Sequence, residues 1–155
     1  MKSVAILDNL RSVYNVGSIF RTANAVGIDK IYLCGTTPTP LDAYGTPRKD
    51  FAKVALGAEN TMSWEYVENT LQCVQKLKEE NFYIIAIEQS ENAVDYKTVR
   101  VNENTAFIIG NEVDGITSNV LAECEVTAEI PMRGSKESLN VTIAFGIGVY
   151  RILGV

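Results

Sequence analysis

The sequence contains no histidine among its 155 residues. Without histidine, Ser-His-Asp and Cys-His mechanisms are excluded, and the commonest protein ligand of zinc is missing. Any catalysis must therefore depend on Arg, Lys, Glu, Asp, Tyr or backbone groups. We expect a site that uses no metal.

Cysteine is scarce, and long hydrophobic runs are absent. Cys34, Cys73 and Cys124 are far apart and lack the spacing of metal ligands, which indicates reduced core residues of a cytoplasmic protein. No apolar stretch approaches the roughly 20 residues that cross a bilayer. The first apolar run stops at Asp8, which is unlike a signal peptide, so we expect no membrane partner.

The familiar phosphate-binding loops are missing as well. The chain has no GxxxxGK[ST] motif, which excludes a P-loop. Gly146 and Gly148 form a GxG pair, but a third glycine and a preceding strand are lacking, so the dinucleotide fingerprint fails. An ordinary nucleotide-binding α/β domain is disfavoured on these grounds.

The net charge of −5 argues against a nucleic-acid partner, but the charge is unevenly distributed. Residues 1–57 carry seven Lys or Arg against four Asp, a balance of +3, whereas the other 98 residues carry seven against fifteen, a balance of −8. A positive face for a polyanion forms if the fold gathers the first third of the chain on one side. Otherwise these charges are ordinary solvated surface.

The chain is long enough for one domain with a sizeable core, and we expect residues 1–155 to form a single domain. The predicted strands are residues 3–7, 30–34, 83–87, 106–109 and 125–130, and the predicted helices are residues 17–26, 67–80, 118–123 and 139–153. This alternation predicts an α/β fold with a mostly parallel sheet covered by helices on both faces. Residues 35–50 hold three of the four prolines and form a long loop.

The stretch "NVGSIFRTANAVG", residues 15–27, places an arginine in an otherwise apolar helix. Arg21 lies off the apolar stripe, and its helical neighbours are small: Gly17, Ser18, Asn24 and Ala25. This pattern predicts room for a ligand to reach the guanidinium.

Two further segments follow predicted strands, where ligands bind in parallel sheets. In "GNEVDGI", Gly110 permits close approach of a ligand and Gly115 supplies a tight turn, or the segment is a plain turn with a solvated Glu112. In "PMRGSKESLN", Ser138 is the predicted N-cap of the last helix, with Asn140 in its first turn.

Glycines inside the last helix are a separate signal. Gly146 and Gly148 each cost about 1 kcal/mol in a helix relative to alanine. They predict that another backbone packs close to this helix, either the sheet or a second subunit.

Three segments in this order resemble the SpoU/TrmH branch of the SPOUT superfamily of RNA methyltransferases: "NLRSVYNVGSIFRTA", "FIIGNEVDGI" and "IPMRGSKESLNVTIAFGI". "ALGAE", residues 55–59, is also similar to this branch. The resemblance covers nearly the whole chain. It implies S-adenosyl-L-methionine as methyl donor, a ribose 2′-hydroxyl of tRNA or rRNA as acceptor, a homodimer, and a deep trefoil knot in the last third of the chain.

The resemblance also implies site residues. The matching catalytic positions are Asn15, Arg21, Glu112, Ser138 and Asn140, and the matching cofactor-binding positions are Ile87, Gly110, Ile130, Ser138 and Leu139. Val113 stands where the branch often has glycine. Many relatives carry an extra RNA-binding domain that residues 1–155 do not include, so an accessory RNA-binding protein is a further expected partner.

Two other functions remain open. Methylation of a base, as in the knotted guanine-N1 branch, is disfavoured by the Ser138-Leu139-Asn140 signature. A non-catalytic RNA-binding dimer is disfavoured because the set of Arg21 and Glu112 with that signature is intact.

Overall fold

A computed structural model of the protein describes residues 1–101 and 103–155. Seven strands form one sheet: β1 Ser3–Asp8, β2 Lys30–Cys34, β3 Ser63–Val67, β4 Tyr83–Ile87, β5 Val94–Asp95, β6 Thr105–Gly110 and β7 Val126–Glu129. Their order is β3-β2-β1-β6-β4-β7-β5, and each pairing between these strands is parallel. The predicted parallel α/β class is confirmed.

Helices cover both faces of the sheet, as predicted. They are α1 Val13–Val26, α2 Lys49–Ala55, α3 Ala58–Thr61, α4 Thr70–Glu79, α5 Ser118–Leu121 and α6 Val141–Leu153, with a short 3₁₀ turn at Tyr96–Thr98. One apolar layer joins α1, α2 and α6 to the sheet, and the other joins α4 and α5 to the opposite face. Among the described residues, no helix is both long and apolar enough to cross a membrane.

Helix α1 forms as the apolar spacing predicts, and it begins four residues earlier than expected. Its stripe is buried: Val16, Ile19, Phe20, Ala23 and Val26. Ser12 caps the first turn by accepting a hydrogen bond from the Asn15 N–H, and Gly27 ends the helix at a φ of 86°. Phe20 meets Phe51 of α2 edge to face, with ring centroids 5.0 Å apart, which holds α2 on α1.

The sequence prediction is wrong around β3. Val67, predicted as the first residue of a helix, is the last residue of β3, and α4 begins only after the Asn69 cap. β3 lies at the edge of the sheet with half-exposed side chains, so it lacks the continuous apolar run of a buried strand. Three short elements were likewise not predicted: α2, α3 and the two-residue strand β5. Each is too short to show a clear hydrophobic periodicity in the sequence.

The sheet order sets the place of the site. β6 lies between β1 and β4, and β7 lies beside β4, so the carboxyl ends of β6, β4 and β7 are adjacent. In open parallel sheets, ligands bind in the crevice outside these ends.

Candidate active site

The carboxyl ends of β4 and β6 open into a cleft of about 340 Å³. Its walls come from the loop after β6 and from the segment before α6. Ile87, Gly110, Glu112, Ser138 and Leu139 line it. Ile130 lines an adjoining recess of about 110 Å³ that shares Ile87, Ser138 and Leu139 with the cleft. The structure thus brings together all five residues expected at the cofactor.

Close packing of the protein's own backbone requires glycine at position 110. A Cβ at this position would lie 2.6 Å from the backbone nitrogen of Ile116, because the loop of residues 111–116 folds back onto the strand end. The close approach expected of a ligand is therefore made by the protein's own backbone. Gly115 has a φ of 68°, as the predicted tight turn requires.

Glu112 is not simply solvated. Although it is exposed, its carboxylate accepts hydrogen bonds from the Arg11 N–H at 3.0 and 3.1 Å and from the Ser12 N–H at 3.4 Å. These amides lie at the start of α1, where unpaired N–H groups and the helix dipole favour a negative charge. Glu112 therefore ties the loop that lines the cleft to the helix that carries Arg21.

Asn140, not Ser138, caps α6. The Asn140 side-chain oxygen accepts hydrogen bonds from the Thr142 N–H at 2.9 Å and from the Thr142 hydroxyl at 2.6 Å. The helix begins at Val141, two residues later than predicted. Ser138 consequently has no capping role, and this residue lines the cleft.

Sequence reasoning missed Glu88 and Gln89, which line both the cleft and the recess. The Glu88 carboxylate accepts hydrogen bonds from the Gln89 N–H at 2.9 Å and from the Ile116 N–H at 3.2 Å. Glu88 and Gln89 are the first polar residues after the buried strand β4. Because ligands bind at the carboxyl ends of parallel strands, this position could have predicted that both residues line the site.

The cleft is acidic. Glu88, Glu112 and Asp114 contribute to its lining, and none of the described residues that line the cleft or the recess is Lys or Arg. Ile87, Leu139 and Ala144 supply apolar surface. Such a lining suits a ligand with a flat apolar part and a positive charge, and it disfavours a polyphosphate.

Arg21 and Asn15 lie on α1, away from this lining. Asn15 is buried, whereas Arg21 is exposed and lines a second cleft of about 480 Å³. The second cleft lies between α1 and the junction of α2 with α3, and it shares no lining residue with the first. Within one chain, the structure does not bring Arg21 to the acidic cleft.

The small residues around Arg21 have two different explanations. A Cβ on Gly17 would lie 3.0 Å from the Val54 Cβ and 3.3 Å from the Phe51 carbonyl oxygen, so Gly17 is small because α2 packs against it. Asn24 and Ala25 line the cleft beside Arg21 and do leave room there. The interpretation of the whole neighbourhood as open space was therefore wrong for Gly17.

The glycines of α6 face side chains of the same chain. A Cβ on Gly148 would lie 2.8 Å from the Ile87 side chain of β4, and one on Gly146 would lie 3.6 Å from the Thr22 side chain of α1. The close approach predicted for this helix comes from the sheet at Gly148. No second subunit is needed to explain it.

The fold is a parallel-sheet α/β fold, and its candidate ligand cleft lies at the carboxyl ends of the central strands. Residues 2–150 match the model of the SpoU rRNA Methylase family, and the chain belongs to that family.

Curated and solved relatives agree with this family. A Staphylococcus aureus protein assigned to the TrmH family of tRNA/rRNA methyltransferases is 31% identical over 98% of this chain, which spans 58% of that relative's length. The TrmH/SpoU tRNA modifying enzyme of A. aeolicus superposes with a TM-score of 0.83 at 28% identity, over 97% of this chain and 73% of that one. The AdoMet-bound rRNA methyltransferase of Sinorhizobium meliloti gives a TM-score of 0.87 at 26% identity, over 97% and 55%.

Proposed function

We propose that the protein is an S-adenosylmethionine-dependent methyltransferase that modifies a ribose 2′-hydroxyl of tRNA or rRNA. The observation that carries the proposal is the pair of clefts with opposite charge in a chain of this family. One cleft is acidic and suits a cationic sulfonium ligand, and the other presents the Arg21 guanidinium, which suits phosphate.

The residues of the acidic cleft fit the methyl donor. Ile87, Leu139 and Ala144 offer apolar surface for an adenine ring, and the Glu88 carboxylate can accept hydrogen bonds from hydroxyl or ammonium groups. When bound, S-adenosylmethionine supplies an electrophilic methyl group on a positively charged sulfur. Related proteins support the assignment, since an AdoMet-bound rRNA methyltransferase shares this fold at 26% identity.

The Arg21 cleft holds the acceptor. The planar guanidinium binds a phosphate of the RNA with two parallel hydrogen bonds and fixes the ribose beside it. As the 2′-hydroxyl releases its proton to water, negative charge develops on its oxygen, and the fixed positive charge of Arg21 stabilises it. A guanidinium stays protonated in proteins, so we assign Arg21 to positioning and charge stabilisation rather than to the role of base.

The complete site is proposed to form in a homodimer. Arg21 and the acidic cleft share no lining residue within one chain, so a partner subunit is needed to bring the two together. An exposed apolar stripe on and before α6 supports this arrangement: Leu139, Ile143, Ile147 and Tyr150. Ile143, Ile147 and Tyr150 recur at helical spacing along α6, and all four side chains remain uncovered in the single chain.

Residues 1–155 are proposed to act as one methyltransferase domain whose last third is knotted, as the family implies. A knot is testable by mechanical unfolding from the two chain ends. The fully extended knotted chain should be shorter than the contour length of its residues, because residues stay trapped in the tightened knot. An unshortened chain would contradict the knot and leave the enzymatic proposal untouched.

The enzymatic proposal is tested by incubating the protein with methyl-labelled S-adenosylmethionine and total RNA. After nuclease digestion, we expect the label on the ribose of tRNA or rRNA nucleosides. Label on a base would contradict the 2′-O assignment. Absence of label in the presence of tight S-adenosylhomocysteine binding would favour a non-catalytic RNA-binding protein. Arg21→Ala serves as the inactive control.

A further inference from the structure

The long loop before α2 ends in an ordered turn that presents a tyrosine to solvent. Tyr44 is 93% exposed. The turn is fixed from within: the Asp42 carboxylate accepts hydrogen bonds from the N–H groups of Tyr44 and Thr46, both at 2.9 Å. The Gly45 N–H donates to the Asp42 carbonyl at 3.0 Å, and Gly45 has a φ of 75°. Tyr44 is therefore held on a structured turn without packing against the core.

The base of this turn is joined directly to α2. Leu41 and Pro47 form an antiparallel bridge, and the Arg48 N–H donates to the Pro40 carbonyl at 2.9 Å. Arg48 is the residue before the first turn of α2. The turn of residues 41–47 consequently keeps a fixed position at the N-terminal end of that helix.

The Arg21 cleft lies at the other end of α2. Ala55, the last residue of α2, and Leu56 line that cleft together with Arg21. Seven residues at 1.5 Å each make α2 about 10 Å long. A strand of RNA bound at Arg21 thus needs to extend only a short distance along α2 to reach Tyr44.

Positively charged side chains lie on α2, between the turn that carries Tyr44 and the Arg21 cleft. Lys49 and Lys53 are exposed and stand four residues apart, so they share one side of α2. Asp50 is neutralised by Arg48, whose guanidinium donates to it at 3.1 and 2.9 Å and holds the pKa of Asp50 below its ordinary value. Among the described residues, no carboxylate pairs with Lys49 or Lys53.

We propose that Tyr44 is a stacking platform for an unpaired base of the RNA substrate, and that Lys49 and Lys53 bind the backbone between that base and the nucleotide held at Arg21. The inference rests on the proposed RNA-modifying function and adds the class of substrate, which is single-stranded or loop RNA. Exposed aromatic rings beside lysines are the usual means of binding unpaired nucleotides without sequence readout. A duplex keeps its bases inside the helix and gives Tyr44 nothing to stack on.

The test uses direct binding, so it does not depend on catalysis. The probe is a short oligouridylate that contains one 2-aminopurine, either alone or annealed to an oligoadenylate with one uridine opposite the 2-aminopurine. We expect preference for the single strand and quenching of 2-aminopurine on binding. Tyr44→Ala should weaken single-strand binding by about 5- to 150-fold and abolish the quenching, whereas Tyr44→Phe should retain both, since the ring alone provides stacking.

The lysines are tested by salt dependence. Lys49→Ala and Lys53→Ala should each lower the slope of log affinity against log salt by about 0.7, the value for one contact to a single strand. Lys76→Ala on α4, across the sheet, is the matched control and should leave the slope unchanged. S-adenosylhomocysteine binding and the melting temperature of all variants should equal those of the wild type, because these residues are exposed.

Several results would overturn the inference. Equal single-strand affinity of Tyr44→Ala and wild type is one, and equal binding of duplex and single strand is another. Conversion of the dimer to monomer by Tyr44→Ala would assign the turn to the subunit interface instead. If Tyr44-dependent binding occurs but the wild type transfers no methyl group to RNA, the proposed function fails and the stacking platform stands.

Discussion

Arg21 is exposed on α1 and has no carboxylate within ion-pair distance among the described residues. An unpaired arginine on a surface is ordinary, but this one lines a cleft between α1 and the junction of α2 with α3. Gly17, one turn earlier, allows α2 to pack directly on α1 and so builds one wall of that cleft. The Arg21 guanidinium therefore lines this cleft without an ion-pair partner among the described residues.

We expect Arg21→Lys to lower kcat by about a hundredfold, the scale of losing one preorganised donor in an active site. The lysine keeps the charge but loses the planar, two-pronged geometry that matches phosphate. Affinity for S-adenosylmethionine, measured by calorimetry, should not change, because Arg21 is proposed to bind the phosphate of the RNA and does not line the acidic cleft of its own chain. Arg100→Lys is the control, because it makes the same substitution at an exposed arginine that lines neither cleft, and it should keep the wild-type kcat. A normal rate in Arg21→Ala would contradict the mechanism.

The buried Cys34 thiol and the half-buried Cys124 thiol make the free energy of unfolding depend on pH in the alkaline range. The contact with Cys73, followed by burial, raises the pKa of Cys34, and burial raises the pKa of Cys124 from 9.0 to about 12. The folded protein keeps these protons above pH 9.0, whereas the unfolded chain releases them. The stabilisation is thus complete below pH 9.0 and is lost as the pH rises toward the folded-state values.

The measurement is the free energy of urea unfolding against pH. We expect it to fall above pH 9.0, with a slope that is smaller in Cys124→Ala than in wild type by about 1.4 kcal/mol per pH unit, the value for one proton. Identical slopes would show that the Cys124 thiol does not contribute.

At the scale of elements, variants of Asn140 and Ser138 at the start of α6 distinguish a role in helix capping from a role in the site. Asn140→Ala removes the helix cap and should lower the free energy of unfolding by about 1 kcal/mol. Asn140→Asp caps equally well and should keep the stability, so any loss of activity in this variant reports a role of the amide in the site. Ser138→Ala should leave stability unchanged, because Ser138 does not cap the helix. Chemical denaturation and methyl transfer provide the two readouts.

Strong local patterns made several elements predictable. The apolar stripe of α1 and the buried runs of β1, β4 and β6 come from periodicities that the sequence displays directly. β3 was missed because an edge strand is half solvated. The role of Gly17 could not be predicted, since the helix that packs on it lies more than thirty residues later in the sequence.

The site could be predicted only in part. The motifs pointed to Gly110, Glu112 and Ser138, which do line one cleft. The hydrogen bonds that the Arg11 and Ser12 N–H groups donate to the Glu112 carboxylate join residues about a hundred positions apart, so no local sequence pattern predicts them. The separation of Arg21 from the acidic cleft could not be predicted from a local pattern either, because it depends on the order of all the strands in the sheet.

At the scale of the whole molecule, the apolar stripe on α6 provides the test of the dimer. Ile143→Glu combined with Ile147→Glu should yield monomers without methyltransferase activity, because two charges would have to be desolvated in the interface. Sedimentation at assay concentration is the measurement, and Val94→Glu, which changes an exposed apolar residue at the edge of the sheet, is the control. A fully active monomer would contradict the shared site.

Complementation checks the same arrangement by another route. Arg21→Ala lacks the phosphate-binding group, and Ser138→Arg places a bulky cation in the acidic cleft. Each variant alone should be inactive. After the two are mixed and allowed to exchange subunits, part of the activity should return, since heterodimers then contain one site with both parts intact. Failure to recover activity in confirmed heterodimers would contradict a site built from two subunits.

The bond between Glu112 and the amides at the start of α1 has a consequence for how the two ligands influence each other. The loop that would contact the methyl donor is fastened to the helix that would contact the RNA. We expect a donor that shifts or stiffens this loop to affect α1 as well, and in the proposed dimer α1 contributes to the site shared with the other subunit. By thermodynamic reciprocity, the factor by which the donor changes RNA affinity must equal the factor by which RNA changes donor affinity. We therefore expect the two proposed sites to be coupled through these hydrogen bonds, and Glu112→Gln should weaken that coupling.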